Sequence, residues 1–331
     1  MKDQYRRPLI VLSGLGLLLS AACGPAHPAA APAASASAAA PGFVQVTQAD
    51  AKAVLDAYIV VNNKVNAARD VAGLAAYEGG PSLDADKGDL TNDRLLNPKK
   101  AGISEFTYVD ATFSIPAVSA YPRWFLARAH VSDKGKQPDV AWSYLLFRQA
   151  AKDGPWLQVA SPKGTDADSD VPAVRVDDGG LATAPALDAA DVVVPPSKVA
   201  ALYAQRLDNG ALDRFAGADG WVDWVAREKG SSASKVKATI AAAPSYPDYA
   251  LTAADGGALV FTTVTIGMRY DIHKGSWMTY NGSGFLKGRY TQYMQTKYIL
   301  EALIYVPPAG GGGKQLRVLG TYGQMVAGSG K

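Results

Sequence analysis

The chain has 331 residues, of which 48% are hydrophobic and 19% charged. That composition excludes a disordered chain, and the length suffices for two domains of ordinary size. Of the formal net charge of +3, Lys2, Asp3, Arg6 and Arg7 carry +2, so the remainder is nearly neutral and nucleic acid is not expected as a partner. A single cysteine excludes a disulfide framework, and three scattered histidines exclude most histidine-based metal centres.

Three positive charges stand in the first seven residues, and an apolar run of 14 residues spans positions 9–22. The run is too short for a stable transmembrane helix but suits a signal-peptide core. It ends in Leu18-Leu19-Ser20-Ala21-Ala22-Cys23-Gly24. This segment resembles the lipobox of bacterial lipoproteins, with small residues at the cut and a cysteine that accepts diacylglycerol. It departs from that pattern in placing Ser20, not leucine, three positions before the cysteine. The resemblance implies cleavage after residue 22, acyl chains on Cys23 and a folded part held on the outer face of the membrane. One acyl chain binds only marginally, whereas two or three anchor. Residues 24–42 are alanine, proline, serine and glycine with His27 and no formal charge. They cannot build a core, and their prolines break a continuous helix. A tether over 23–45 is therefore expected, with His27 solvated.

The pattern changes at Val46. Thr47 with Asp50 reads as a helix start, and Val54, Leu55, Tyr58, Val61, Val65 and Ala68 recur at helical spacing. Asp70 is expected to cap a second short helix through Glu78, ended by Gly79-Gly80-Pro81. A polar loop holding Asp84, Asp86 and Asp89 should follow. Strand signals then dominate, at 106–113, 124–131, 142–149 and 156–160, with Lys152-Asp153-Gly154-Pro155 as a turn. In the second half Pro195-Pro196 breaks the chain. A helix with Val199, Leu202, Tyr203 and Leu207 on its apolar face runs to Asn209-Gly210. Short helices are expected at 221–228 and 233–243, then strands at 249–252, 258–270, 290–305 and 316–326. Residues 173–176 and 181–183 can form a small hairpin across Asp178-Gly179-Gly180. Tyr298 and Tyr305 are separated by an odd number, so they should point to opposite faces of their strand unless a bulge intervenes.

Helices followed by strands in each half give an α+β order. It resembles the cystatin-like cone of the nuclear transport factor two-like superfamily, twice in tandem. The expected first domain covers 46–165, the connector 166–195 and the second domain 196–331. The chain is also similar to a family of uncharacterised actinobacterial lipoproteins. The segments that carry this resemblance are Ala57-Tyr58 through Val61-Asn62-Asn63, Tyr77-Glu78-Gly79-Gly80-Pro81, and Tyr249-Ala250-Leu251-Thr252-Ala253-Ala254-Asp255-Gly256-Gly257-Ala258-Leu259-Val260. It implies a location and a two-part fold but no activity.

Candidate chemistry is sparse. His130 shares a strand face with Arg128 and reads as a pocket base or as a surface histidine. Asp271 can orient His273, which otherwise reads as a loop residue. Glu78 is a candidate acid or base at a pocket mouth, or a loop-bonding carboxylate. Asp84, Asp86 and Asp89 fail the calcium-loop pattern, because its twelfth position falls on Leu95. Trp124, Trp142, Trp156 and Trp277 suit either core packing or a concave face for an apolar ligand or a sugar ring. The candidate pocket set is thus Trp124, His130, Glu78 and Trp142. No cofactor or nucleotide fingerprint is present. The expected role is a membrane-anchored lipoprotein that binds a small ligand or an envelope partner. The alternatives are an isomerase- or hydrolase-type enzyme, by fold analogy alone, and a structural docking protein.

Overall fold

A computed structural model describes residues 43–100, 102, 105–164, 171–210 and 213–331. The leader, Cys23 and the tether through residue 42 lie outside the described residues, as do positions 165–170 at the start of the connector.

Helix α1 (Gln48–Ala68) begins at the expected cap. The Asp50 amide donates to the Thr47 hydroxyl at 3.1 Å, and the Thr47 amide donates to the Asp50 carboxylate at 3.0 Å. The hydrogen bond from the Thr47 side chain holds the Asp50 carboxyl below its ordinary range. The helix ends at Arg69 in left-handed conformation (φ 51°).

Two expectations fail in the next segment. The helix through Glu78 is only a 3-10 turn, Gly73–Ala76, with the Asp70 carboxylate accepting from the Ala72 amide. Gly79-Gly80-Pro81 opens a helix instead of closing one: α2 spans Gly80–Leu96. Proline fits the first turn because its missing N–H has no partner there in any helix. The expected polar loop with Asp84, Asp86 and Asp89 is therefore the body of α2. Gly88 stands in its middle, where a Cβ would come within 2.6 Å of the Met325 carbonyl oxygen. The glycine lets the helix backbone press directly on a strand.

Strands β1 (Phe106–Ser114), β2 (Arg123–Asp133), β3 (Trp142–Gln149) and β4 (Trp156–Ala160) form the expected antiparallel meander. A two-residue strand, β5 (Lys163–Gly164), follows. The second half contains α3 (Pro196–Asn209), β6 (Phe215–Ala216) and α4 (Gly220–Lys229). It continues with β7 (Ser234–Ala242), β8 (Tyr249–Thr252), β9 (Ala258–Ile272), β10 (Tyr293–Val306) and β11 (Leu316–Gly330). The helix expected at 233–243 is strand β7. Its burial alternates strictly, with Val236, Ala238 and Ile240 turned inward and Lys235, Lys237 and Thr239 outward. That is a period of two, not 3.6. The small hairpin forms, with Val176 opposite Ala182.

Both halves contribute to one largely antiparallel sheet, in the order β1-β2-β3-β5-β11-β10-β9-β7. β5 makes the join, pairing with Ser143 of β3 and with Gly320 and Thr321 of β11. Phe125, Ala127, Leu145 and Phe147 pack beneath α1. On the opposite face, Trp124, Leu126, Tyr144 and Leu146 meet Leu259, Phe261, Leu303 and Tyr305 from β9 and β10. The remaining face of β9 and β10, with Val260, Val264, Tyr298 and Leu300, packs against Val199, Tyr203 and Val225 of α3 and α4. The layers therefore run helix, sheet, sheet, helix, and Tyr298 and Tyr305 do lie on opposite faces. Each fully buried large apolar side chain in these layers contributes roughly 1.5–3 kcal/mol.

Candidate functional site

Helix α2 belongs to the first half but lies on β10 and β11 of the second. Its side-chain hydrogen bonds reach across to that half. The Ser82 hydroxyl donates to Glu301 Oε1 at 2.8 Å, and the Ser161 amide donates to Glu301 Oε2. The Tyr322 hydroxyl donates to Asp86, and the Tyr246 hydroxyl to Asp84. At the far end of the helix, the Gly284 amide donates to Asn92 Oδ1 at 2.7 Å.

Three carboxyls are buried along this seam. Burial raises Glu301 to about 8, against the opposing hydrogen bonds from Ser161 and Ser82. Burial and then the charge of Asp86 push Glu78 well above the carboxylate range. Burial raises Asp86 as well, although the bond from Tyr322 opposes it. Two carboxyls enclosed together cannot both ionise cheaply, so the pair keeps a proton near neutral pH. The retained proton forms a hydrogen bond between the Glu78 and Asp86 carboxyls, which raises Glu78 and opposes the rise of Asp86.

A cavity of about 240 Å³ opens beside this cluster, between α1, α2, β1, β3 and β11. Asp86, Asp89, Tyr58, Tyr108, Asn62 and Tyr322 are among its lining residues. Burial raises Asp89 as well, followed by the charge of Asp93. The Asn62 amide donates to the Tyr58 hydroxyl at 2.8 Å. The cavity can therefore offer carboxyl, phenol and amide groups to a small polar guest, and the lining Lys163 is paired with Asp139. No group of three or more metal-ligating side chains comes together among the described residues.

The residues singled out from sequence scatter. Glu78 is at the seam but fully buried, not at a mouth: it bridges Gln158 of β4 just before α2 begins. Trp124 is core, its ring 5.2 Å from that of Tyr249. His130 and Trp142 pair in register, with ring centroids 3.6 Å apart, and Arg128 lies over the same indole at 4.0 Å. Neither residue lines the seam cavity. Trp156 packs at a tilt against Phe125 with Arg123 over its ring, and Trp277 is exposed beneath Arg289. Asp271 does not orient His273; it accepts from Arg269 Nε at 2.8 Å, and His273 is exposed.

Sequence reasoning missed Asp86 as a site residue, together with Glu301 and Tyr322. Two signals could have found them. Asp86, Asp89 and Asp93 recur at helical spacing, and Glu301 is a lone acid within the apolar run Tyr298-Ile299-Leu300-Glu301-Ala302-Leu303-Ile304.

The fold and the seam thus define an α+β protein with a continuous sheet and an interior rich in carboxyl groups. By sequence, residues 45–330 match the model of the family described as Domain of unknown function (DUF8094). The chain belongs to that family. A protein named uncharacterized lipoprotein from Streptomyces avermitilis is 26% identical over 86% of each chain. Two proteins of Streptomyces coelicolor, also named uncharacterized lipoproteins, are 31% identical over 78% of this chain and 77% of the relative, and 29% identical over 66% of each. No solved structure matches the chain.

Proposed function

We propose that this protein is a lipid-anchored, extracytoplasmic binding protein that takes a small ligand bearing a protonated amine into the seam cavity. The observation that carries the ligand reading is the pair Asp86 and Asp89 in the wall of the cavity. Burial penalises the charge of both, and an ammonium group between them would remove that penalty. Tyr58, Tyr108 and Tyr322 supply aromatic surface for the same cation. The anchor reading is supported by the lipobox-like segment ending in Cys23 and by the names of the relatives. The recurring order of helices and then strands supports reading 46–165 and 196–331 as related cystatin-like halves, joined through β5.

A second reading is acid–base catalysis in the same cavity. Its support is Asp86, raised toward neutrality and bonded to the Tyr322 hydroxyl.

Two measurements test the proposal. In an actinobacterial host, Cys23→Ser should move the protein from the membrane to the soluble fraction; retention in the membrane overturns the anchor. Native mass spectrometry of the full chain should find a small co-purified mass that Asp86→Asn loses. A bare mass for the wild type, or an adduct unchanged in the variant, overturns amine binding in this cavity.

A further inference from the structure

A second cavity, remote in sequence from the carboxyl cluster, is built from aromatic rings. Asp219 caps α4, its carboxylate accepting from the Trp221 amide at 2.9 Å. The cap fixes the first turn, and the three-residue spacing of Trp221 and Trp224 puts both indoles on one face. They meet each other edge to face at 5.4 Å and meet Tyr298 of β10 at 6.1 and 4.9 Å. Tyr280 closes a further side, its hydroxyl 2.7 Å from that of Tyr298. Beneath Trp221 lies Gly323 of β11, where a Cβ would fall 2.2 Å from the indole. Only glycine leaves room for that ring. With Val318 and Thr321, these residues surround a cavity of about 450 Å³, within the range of small-molecule sites.

The rings are not simply core. Trp221, Trp224 and Tyr280 all remain partly exposed. Charge narrows the class of guest. The carboxylate in the wall, Asp219, is buried 3.7 Å from Arg206 Nε, and Arg206 is itself buried and donates to the Gly217 carbonyl at 2.8 Å. The ion pair leaves no uncompensated charge to hold a cation or an anion. What remains is apolar ring surface with a few neutral polar groups at its border, the Tyr280 and Tyr298 hydroxyls and Thr321. A pyranose has the same division, with C–H groups on its faces and hydroxyls around its edge.

We propose that the Trp221–Trp224–Tyr280–Tyr298 cavity binds an uncharged sugar ring, stacked on an indole with its hydroxyls toward Tyr280 and Thr321. This site is independent of the seam cavity. The test is titration of the full chain with chitotetraose, cellotetraose and maltotetraose, followed by calorimetry and tryptophan emission. At least one should bind and shift the emission. Trp224→Ala and Tyr280→Ala should each weaken that binding at least about tenfold, which is 1.4 kcal/mol. Trp277→Ala, an exposed ring outside the cavity, should leave it unchanged. Circular dichroism checks that the variants fold, and Tyr280 lies in a loop, so at least that variant should. The proposal is overturned if none of the three sugars binds at millimolar concentration, or if folded Tyr280→Ala keeps full affinity. It is equally overturned if choline binds and the sugars do not.

Discussion

The two helices of the first half cover different kinds of surface. Helix α1 lays Leu55, Tyr58 and Val65 on Phe125, Leu145 and Phe147. Helix α2 lays Ser82, Ala85 and Gly88 on the strands of the second half and brings Asp86 to Tyr322. The first contact is apolar and tolerant of water exclusion. The second encloses carboxyls that lose hydration and keep their protons. The chain thus uses burial for stability at one helix and for altered acidity at the other.

The largest expected effect falls on the apolar side. Leu55→Ala removes a fully buried side chain beneath α1 and should cost about 2–5 kcal/mol in denaturant unfolding. A loss below about 1 kcal/mol would mean that the α1 layer collapses around the gap and is less tightly packed than its burial implies.

The seam should announce itself through pH. Glu78, Asp86 and Glu301 all have folded-state pKa values above their unfolded ones. Through these three groups the folded state holds protons that the unfolded chain releases. The contribution of these groups to stability should be fully present near or below the unfolded carboxylate range and fall as pH rises toward 8, by up to about 1.4 kcal/mol per pH unit for each retained proton. Glu301→Gln keeps the shape and removes one of those protons, so its stability should fall less steeply between pH 5 and 8. Parallel pH profiles for variant and wild type would dissolve the contrast between the two helices.

The smallest effect belongs to the entry of α1. Thr47→Ala removes the hydroxyl that accepts from the Asp50 amide and should cost about 1 kcal/mol. The same substitution should let the Asp50 carboxyl titrate nearer its ordinary range, visible by NMR, because Thr47 is the main cause of its lowering.

What could be read in advance follows from the same contrast. Elements with an apolar stripe were legible: α1, α3, α4 and eight of the eleven strands among the described residues. Helix α2 was hidden because its buried face is made mostly of small residues, Pro81, Ser82, Ala85 and Gly88, with acids between them and Leu90 as its one large apolar member. Small and charged residues resemble a loop until a partner surface is known. Strand β7 carries its alternation openly, at Val236, Ala238 and Ile240, in the segment where a helix is expected at 233–243. Glu78 was legible as unusual, while its partners Asp86 and Glu301 lie in separate elements of different halves.

Sequence by itself determined most of the local elements, the α+β order and the candidate anchor at Cys23. Capping, turn residues and apolar period act between near neighbours, so one chain segment carries each signal. Tertiary structure alone decided that β5 joins the two halves into one sheet, that α2 crosses onto β11, and that Glu78, Asp86 and Glu301 share one desolvated interior. Those outcomes depend on contacts between segments as much as 236 residues apart, as Tyr322 and Asp86 are. No local pattern encodes the loss of water that gives these carboxyls their chemistry.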